Sequence, residues 1–308
     1  MSEATHAPRR TLAERLRSNP VTLKELRGRM RGARAFVVLT LYVVLISGFT
    51  SLLYLTYSTS TGLVASSSGS VIGKIIFGGV LGFQLFLVTF IAPSFTAGSI
   101  SGERERQTFD LLRTTLLPAR SVVMGKLGSA LSYILLLLIA AVPLQSLAFL
   151  MGGVVIEEVA LSLIMLLVTA ITFSTAGVFF SSLTRRTLVA SVLTYSFALV
   201  ATIGLPLLAL IFIPVLEMSF YDINSPVLEA ILIYAGGFLV TTNPILTVIF
   251  TEIVLQEENT ILFFDVNLSS SSGSIPLVSP WIVYVLFYVI LTVVMLASSV
   301  RLVKKPEK

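Results

Sequence analysis

Apolar residues in this chain fall in long unbroken runs, not in the alternation of a half-buried strand or the spaced stripe of a surface helix. Six runs are long enough for a helix to cross a hydrocarbon core of roughly 30 Å. They cover about Ala35 to Tyr57, Ile75 to Phe95, Leu127 to Leu150, Val159 to Phe180, Leu188 to Pro214 and Pro280 to Val300. The short alternating segments of a membrane barrel are not seen. A further apolar stretch, Ala230 to Leu255, is interrupted by Gly236, Gly237 and the Asn243-Pro244 pair. The pattern predicts an all-α membrane protein with six transmembrane helices. A polar tail of residues 1–34 precedes a single transmembrane domain over residues 35–300, and a short tail of residues 301–308 follows it. The stretch Ser58 to Ser70, rich in Ser, Thr and Gly, reads as a loop after the first span.

Charge orients these runs. Every basic residue except Lys74 lies before span one, between spans two and three, between spans four and five, or after span six. The opposite segments collect Glu157, Glu158, Glu217, Asp222, Glu229, Glu252, Glu257, Glu258 and Asp265. Lysine and arginine are retained on the cytoplasmic side, so both termini are expected there, in a multi-pass protein of the cell (inner) membrane. Two cytoplasmic termini require an even number of crossings. Ala230 to Leu255 is therefore expected to turn back as a re-entrant or broken helical hairpin within an outer region of residues 215–279. Its turn should lie near Asn243-Pro244, with its backbone buried in protein because lipid cannot satisfy it.

Composition agrees: 55% of residues are hydrophobic, 12% are charged and the mean hydropathy is +0.95, far more apolar surface than a soluble globule of this length could hide. Several chemistries are excluded by what is missing. There is no cysteine, and the single histidine, His6, lies in the polar tail. Gly73-Lys74 and Gly125-Lys126 fail as phosphate-binding loops. Neither has a glycine five residues before its own, and Ile75 and Leu127 stand where a Ser or Thr is needed. With these boundaries the spans hold no charged residue, which speaks against an intramembrane hydrolase or an ion-coupled carrier. Gln84 and Gln145 are expected to hydrogen-bond between helices.

Two segments are amphipathic. In the first, Asn19 and Pro20 can open a helix on which Leu23, Leu26, Met30 and Ala33 form an apolar stripe, with Lys24 and Arg27 on other faces. Such a helix suits a membrane surface. The second segment is residues 96–126, between spans two and three. There Phe109, Leu112 and Leu116 recur at helical spacing while Arg106, Asp110 and Arg113 occupy other faces. The run Glu103-Arg104-Glu105-Arg106 before it fits a solvated helix face as well as a docking element.

These two segments resemble the permease subunits of ABC-2 type transporters. Asn19 to Arg27 followed by Arg29-Met30-Arg31 looks like the interfacial helix that opens many of them, which places Leu23, Lys24, Leu26, Arg27 and Met30 on it. Pro93 to Glu105 with Thr108-Phe109-Asp110-Leu111-Leu112 is similar to the family's G-E-R-E...T-x-x-x-L-L element, and Leu117-Pro118 to Gly125-Lys126 to the turn leading into its third helix.

The resemblance implies a homodimer of six-helix subunits, each resting on a separate nucleotide-binding ATPase. A cytoplasmic coupling helix would then dock that ATPase through Glu103, Arg104, Glu105, Arg106, Thr108, Phe109, Asp110 and Leu112. It implies no cofactor in this chain: ATP and Mg would be bound by the partner, and the chain itself is expected not to be an enzyme. Expected partners are the ATPase, a second copy and membrane lipid, with no nucleic acid. The expected activity is export of a substrate, with a membrane anchor for an ATPase, or a self-contained channel or carrier, as the alternatives. Because Glu103 opens a charged run at a docking surface, its loss is expected to weaken assembly and leave folding nearly unchanged.

Overall fold

The computed structural model describes residues 28, 33–60, 69–109, 118–208, 210–211, 226–257, 260–268 and 273–304. Among them the elements run α1 (Ala33–Ser60), α2 (Gly69–Ser94), the short α3 (Ser101–Glu105), α4 (Ala119–Leu150), α5 (Ile156–Leu183) and α6 (Thr187–Leu199). There follow α7 (Pro226–Thr241), α8 (Pro244–Glu257), β1 (Phe263–Asn267), β2 (Ser274–Val278) and α9 (Pro280–Lys304). Six helices are long and apolar enough to cross a membrane: α1, α2, α4, α5, α9, and α6 with its continuation to Leu208. The fold is that of a predominantly helical, multi-pass membrane protein. The amphipathic N-terminal segment with Leu23, Lys24, Leu26, Arg27 and Met30 lies outside the described residues, as do Asp110 and Leu112.

The helices extend past the apolar runs. The helix that carries the third span begins at Ala119, ahead of the apolar run from Leu127, because Pro118 holds an extended backbone and the chain turns helical directly after it. At 1.5 Å per residue this 32-residue helix measures roughly 48 Å, so its first turns project beyond a hydrocarbon core. Charged residues accordingly occupy the end turns: Lys74 in α2, Arg120 and Lys126 in α4, Glu157 and Glu158 in α5, and Arg301 and Lys304 in α9. We call the end that carries α3 and the first turns of α4 the basic end, and the opposite one the acidic end.

The core sits on α2 and α5. Of the most apolar stretch of α5, 61% is buried, against 17% for α1, which therefore lies at the rim with Phe36, Val37, Leu41 and Leu52 turned outward. In lipid, apolar packing gains little from the hydrophobic effect, and helices associate through close approach and polar contacts. Both are present. A Cβ on Gly177 of α5 would overlap Thr96 Oγ1, so only glycine permits that crossing. Thr169 Oγ1 lies 2.6 Å from Tyr284 Oη, and Thr172 Oγ1 lies 2.8 Å from Thr292 Oγ1, joining α5 to α9. Gln145 Nε2 donates to Gln84 Oε1 at 2.7 Å, so the two amides expected to link helices bond to each other.

Helices α7 and α8 meet at a bend of 120° after a break at residues 242–243, where the sequence expects a turn. Asn243, fully buried, organises the break. Its Oδ1 accepts from the N–H groups of Ile245 and Leu246 at 2.8 Å each, capping α8, and Pro244 takes the first helical position that tolerates it. Its Nδ2 donates to the carbonyls of Ala201 and Thr202, at 2.7 and 3.0 Å, in a π-helical turn over Val200–Gly204 within the fifth span. Tyr288 Oη donates to Thr242 O at 2.7 Å. Since Tyr288 is eight residues into α9, the bend lies about 12 Å in from the acidic end.

One element departs from an all-helical reading. β1 and β2 pair as an antiparallel ribbon, with Phe263 opposite Val278 and Asn267 opposite Ser274. The ribbon is tied to the helices by Trp281 Nε1 donating to Ile261 O, Ser279 N to Leu262 O and Tyr234 Oη to Pro276 O. Each strand is five residues long, too short to register as a run beside six spans.

Candidate functional site

The segment between spans two and three is built as a clasp. After Ser94 the chain leaves α2 through consecutive turns and is pinned by Ser181 of α5, whose Oγ accepts from the N–H groups of Ile100 and Ser101 at 2.9 Å each. This pin orients α3, whose five residues are too few to be stable alone. It also sends the successive charges of Glu103-Arg104-Glu105 toward three different helices.

Glu103 Oε1 meets Lys126 Nζ of α4 at 2.8 Å; the lysine side chain is 2% exposed and the glutamate 25%. Arg104 Nη1 donates to the carbonyls of Ser182 and Thr184, at 2.8 and 3.1 Å, satisfying acceptors that the end of α5 leaves free. Glu105 accepts from Thr187 Oγ1 at 2.7 Å and from Thr187 N–H at 3.0 Å, closing the first turn of α6. The Thr187 hydroxyl and amide, with the Arg186 guanidinium nearby, hold the Glu105 carboxyl below the usual carboxylate range.

Phe109 completes the clasp from below. It is 3% exposed, packs with Ile100, Val123, Leu127, Val178 and Val303, and lies 5.1 Å beneath the Arg104 guanidinium. What stays on the surface is Glu105 and the bend that follows it, at Arg106, Gln107 and Thr108, all exposed. The bend is tight: Thr108 N–H donates to Glu103 O at 2.9 Å, and Gln107 takes φ +56°, a left-handed conformation unusual for a residue with a side chain.

Of the residues the sequence nominates for docking, the structure thus brings Glu103, Arg104, Glu105 and Phe109 into contacts within the chain and leaves Arg106 and Thr108 exposed, the Thr108 hydroxyl donating to Glu103 O at 3.2 Å. The Glu103–Lys126 pair gives folding a stake in Glu103, contrary to the expectation that its loss would leave folding nearly unchanged. Sequence reasoning missed three members of the clasp: Lys126, Ser181 and Thr187. A signal existed for one of them. Thr187 follows Arg185-Arg186 and directly precedes an apolar run, the usual place of a helix start. Among the described residues no cluster of three His, Cys, Asp or Glu side chains could hold a metal ion. Compared with known proteins, the chain matches no family model and no curated sequence.

Proposed function

We propose that this chain is the membrane-spanning subunit of an ABC-2 type transporter, exporting a substrate with ATP hydrolysed by a separate nucleotide-binding partner. The observation that carries the reading is the clasp. One short exposed bend, Arg106 to Thr108, is tied through Glu103, Arg104 and Glu105 to the third, fourth and fifth spans. A partner bearing on that bend would act on three spans together, as coupling requires. Asp110 and Leu112 extend the docking surface in this reading, and the N-terminal helix with Leu23, Lys24, Leu26, Arg27 and Met30 lies along the cytoplasmic membrane face. Both termini are cytoplasmic, α7 and α8 form a re-entrant hairpin on the outer side, and two copies assemble. The satisfied backbone at the α7–α8 break supports the hairpin, since a lipid-exposed break would leave polar groups unpaired.

The test is reconstitution with a candidate nucleotide-binding ATPase. Purified alone, the chain is expected to hydrolyse no ATP; with the partner, hydrolysis and substrate movement into inverted vesicles should appear together. Replacing Arg106 by alanine should weaken partner affinity by about tenfold, roughly 1.4 kcal/mol, with no change in thermal stability. Copurification without ATP-dependent transport would mean an anchor rather than a transporter. For orientation, a cysteine introduced at Ser271 should react with an impermeant thiol reagent from outside, free of background because the chain has no cysteine. Reaction from inside only would overturn the map.

A further inference from the structure

At the acidic end a cavity of about 370 Å³ opens between the first turns of α2 and the outer arm α8. This is within the size range of sites that hold small molecules. Its walls are of two kinds. Ile75, Val248 and Ile249 present apolar surface, while Lys74, Glu252 and Gln256 converge from the two helices as the polar part. Ile249 is itself about half exposed, so the cavity is open on its apolar side.

The charges in and around this cavity do not cancel. Lys74 is the single cation among the lining residues, and its Nζ lies 3.4 Å from Glu158 Oε1 of α5. Glu158 is buried and fixed, its other oxygen accepting from Val155 N–H at 3.2 Å. The lysine is thereby matched by a carboxylate outside the cavity lining. Glu252, partly buried on α8, is left over, and among the described residues it makes no salt bridge. With Glu252 ionised, one lysine against two glutamates leaves a net charge of about −1 beside an apolar wall. A neutral ligand would leave that carboxylate partly desolvated and unmatched, and an anion would be repelled by it.

We infer that this cavity binds amphipathic monocations, an apolar body against Ile75, Val248 and Ile249 with its positive charge at Glu252. The inference goes beyond the transport reading, because binding at the site needs no ATPase.

The experiment uses the full chain in nanodiscs of zwitterionic lipid and compares two apolar ions of similar size and opposite charge, tetraphenylphosphonium and tetraphenylborate, after subtraction of empty nanodiscs. Saturable binding of the cation and none of the anion is expected. Glu252→Gln keeps the side-chain shape and should weaken cation binding by about tenfold or more. Gly78→Leu attacks from the other wall: a Cβ there meets open space, so the larger side chain enters the cavity and should block the cation. Both variants are compared at equal thermal stability, and where one of them is destabilised the other decides. Equal binding of both ions by the unaltered chain, or wild-type cation affinity in the stable variants, would overturn the inference. Transport separates the two proposals. Cation binding without ATP-driven movement by the assembled complex would count against the permease reading alone, and movement with cation affinity indifferent to Glu252→Gln would count against the site alone.

Discussion

At the basic end Glu103 faces Lys126, Arg104 closes α5 and Glu105 opens α6, whereas at the acidic end Lys74 and Glu158 pair and leave Glu252 over a cavity. The same residue types serve both ends, but their neighbours differ. α3 is pinned by Ser181 before its charges diverge, so each has a fixed partner within reach. Glu252 projects from one arm of a bent pair, and the nearby cation is already engaged. Charge used to hold helices and charge left to meet something else can therefore be told apart by counting partners, which charge density alone does not reveal.

The largest effect is expected where a buried ion pair is broken. Glu103→Ala removes the carboxylate from a lysine that is 2% exposed. It should cost about 2–3 kcal/mol, at or just under the low end of the range for a broken buried pair because part of Glu103 meets solvent. Thermal unfolding in detergent reads it, and adding Lys126→Met should recover most of the loss. A variant as stable as the parent would mean that the clasp holds nothing and the contrast between the ends fails.

Next comes Asn243→Ala, which removes the α8 cap and the donor to two π-turn carbonyls at once. A loss of about 2 kcal/mol is expected, one part from the cap and one from the unpaired carbonyls, together with faster protease cleavage in α7 and α8.

Glu105 should give a smaller, pH-dependent signal. Its carboxyl lies below the ordinary value of 4.5, so its contact with Thr187 is complete above that pH and fades as pH falls through the lowered value. The Thr187 amide resonance should follow that titration, and a shift absent in Glu105→Gln would assign it. The smallest change is a gain. Gln107→Gly relieves a left-handed φ of +56° and should add about 1 kcal/mol, unless the Gln107 side chain has a use on the exposed bend.

Much of the fold could be read from the chain because membrane spans advertise themselves by length alone. The break at Asn243-Pro244 was legible too, since an asparagine before a proline both caps and interrupts. What escaped depended on contacts between segments distant in sequence. Nothing local to Glu103 indicates Lys126, 23 residues on, and nothing local to Arg104 indicates the end of α5 some 80 residues away. The end turns were missed for a different reason. Apolar counting stops at the first charge, yet the helix continues through Lys126 and Glu158, whose partners let them sit inside it. The ribbon at Phe263–Val278 was hidden by its brevity.

The π turn at Val200–Gly204 can be seen as one residue inserted into an otherwise regular helix. Deleting a single residue there would restore ordinary winding in the fifth span, yet it would rotate everything beyond by about 100° and take away the carbonyls that Asn243 reaches. The bend between α7 and α8 is thus written in the length of a different helix. A chain lacking that extra residue would need another acceptor for Asn243, so loss of the insertion and replacement of Asn243 should travel together in any descendant of this sequence.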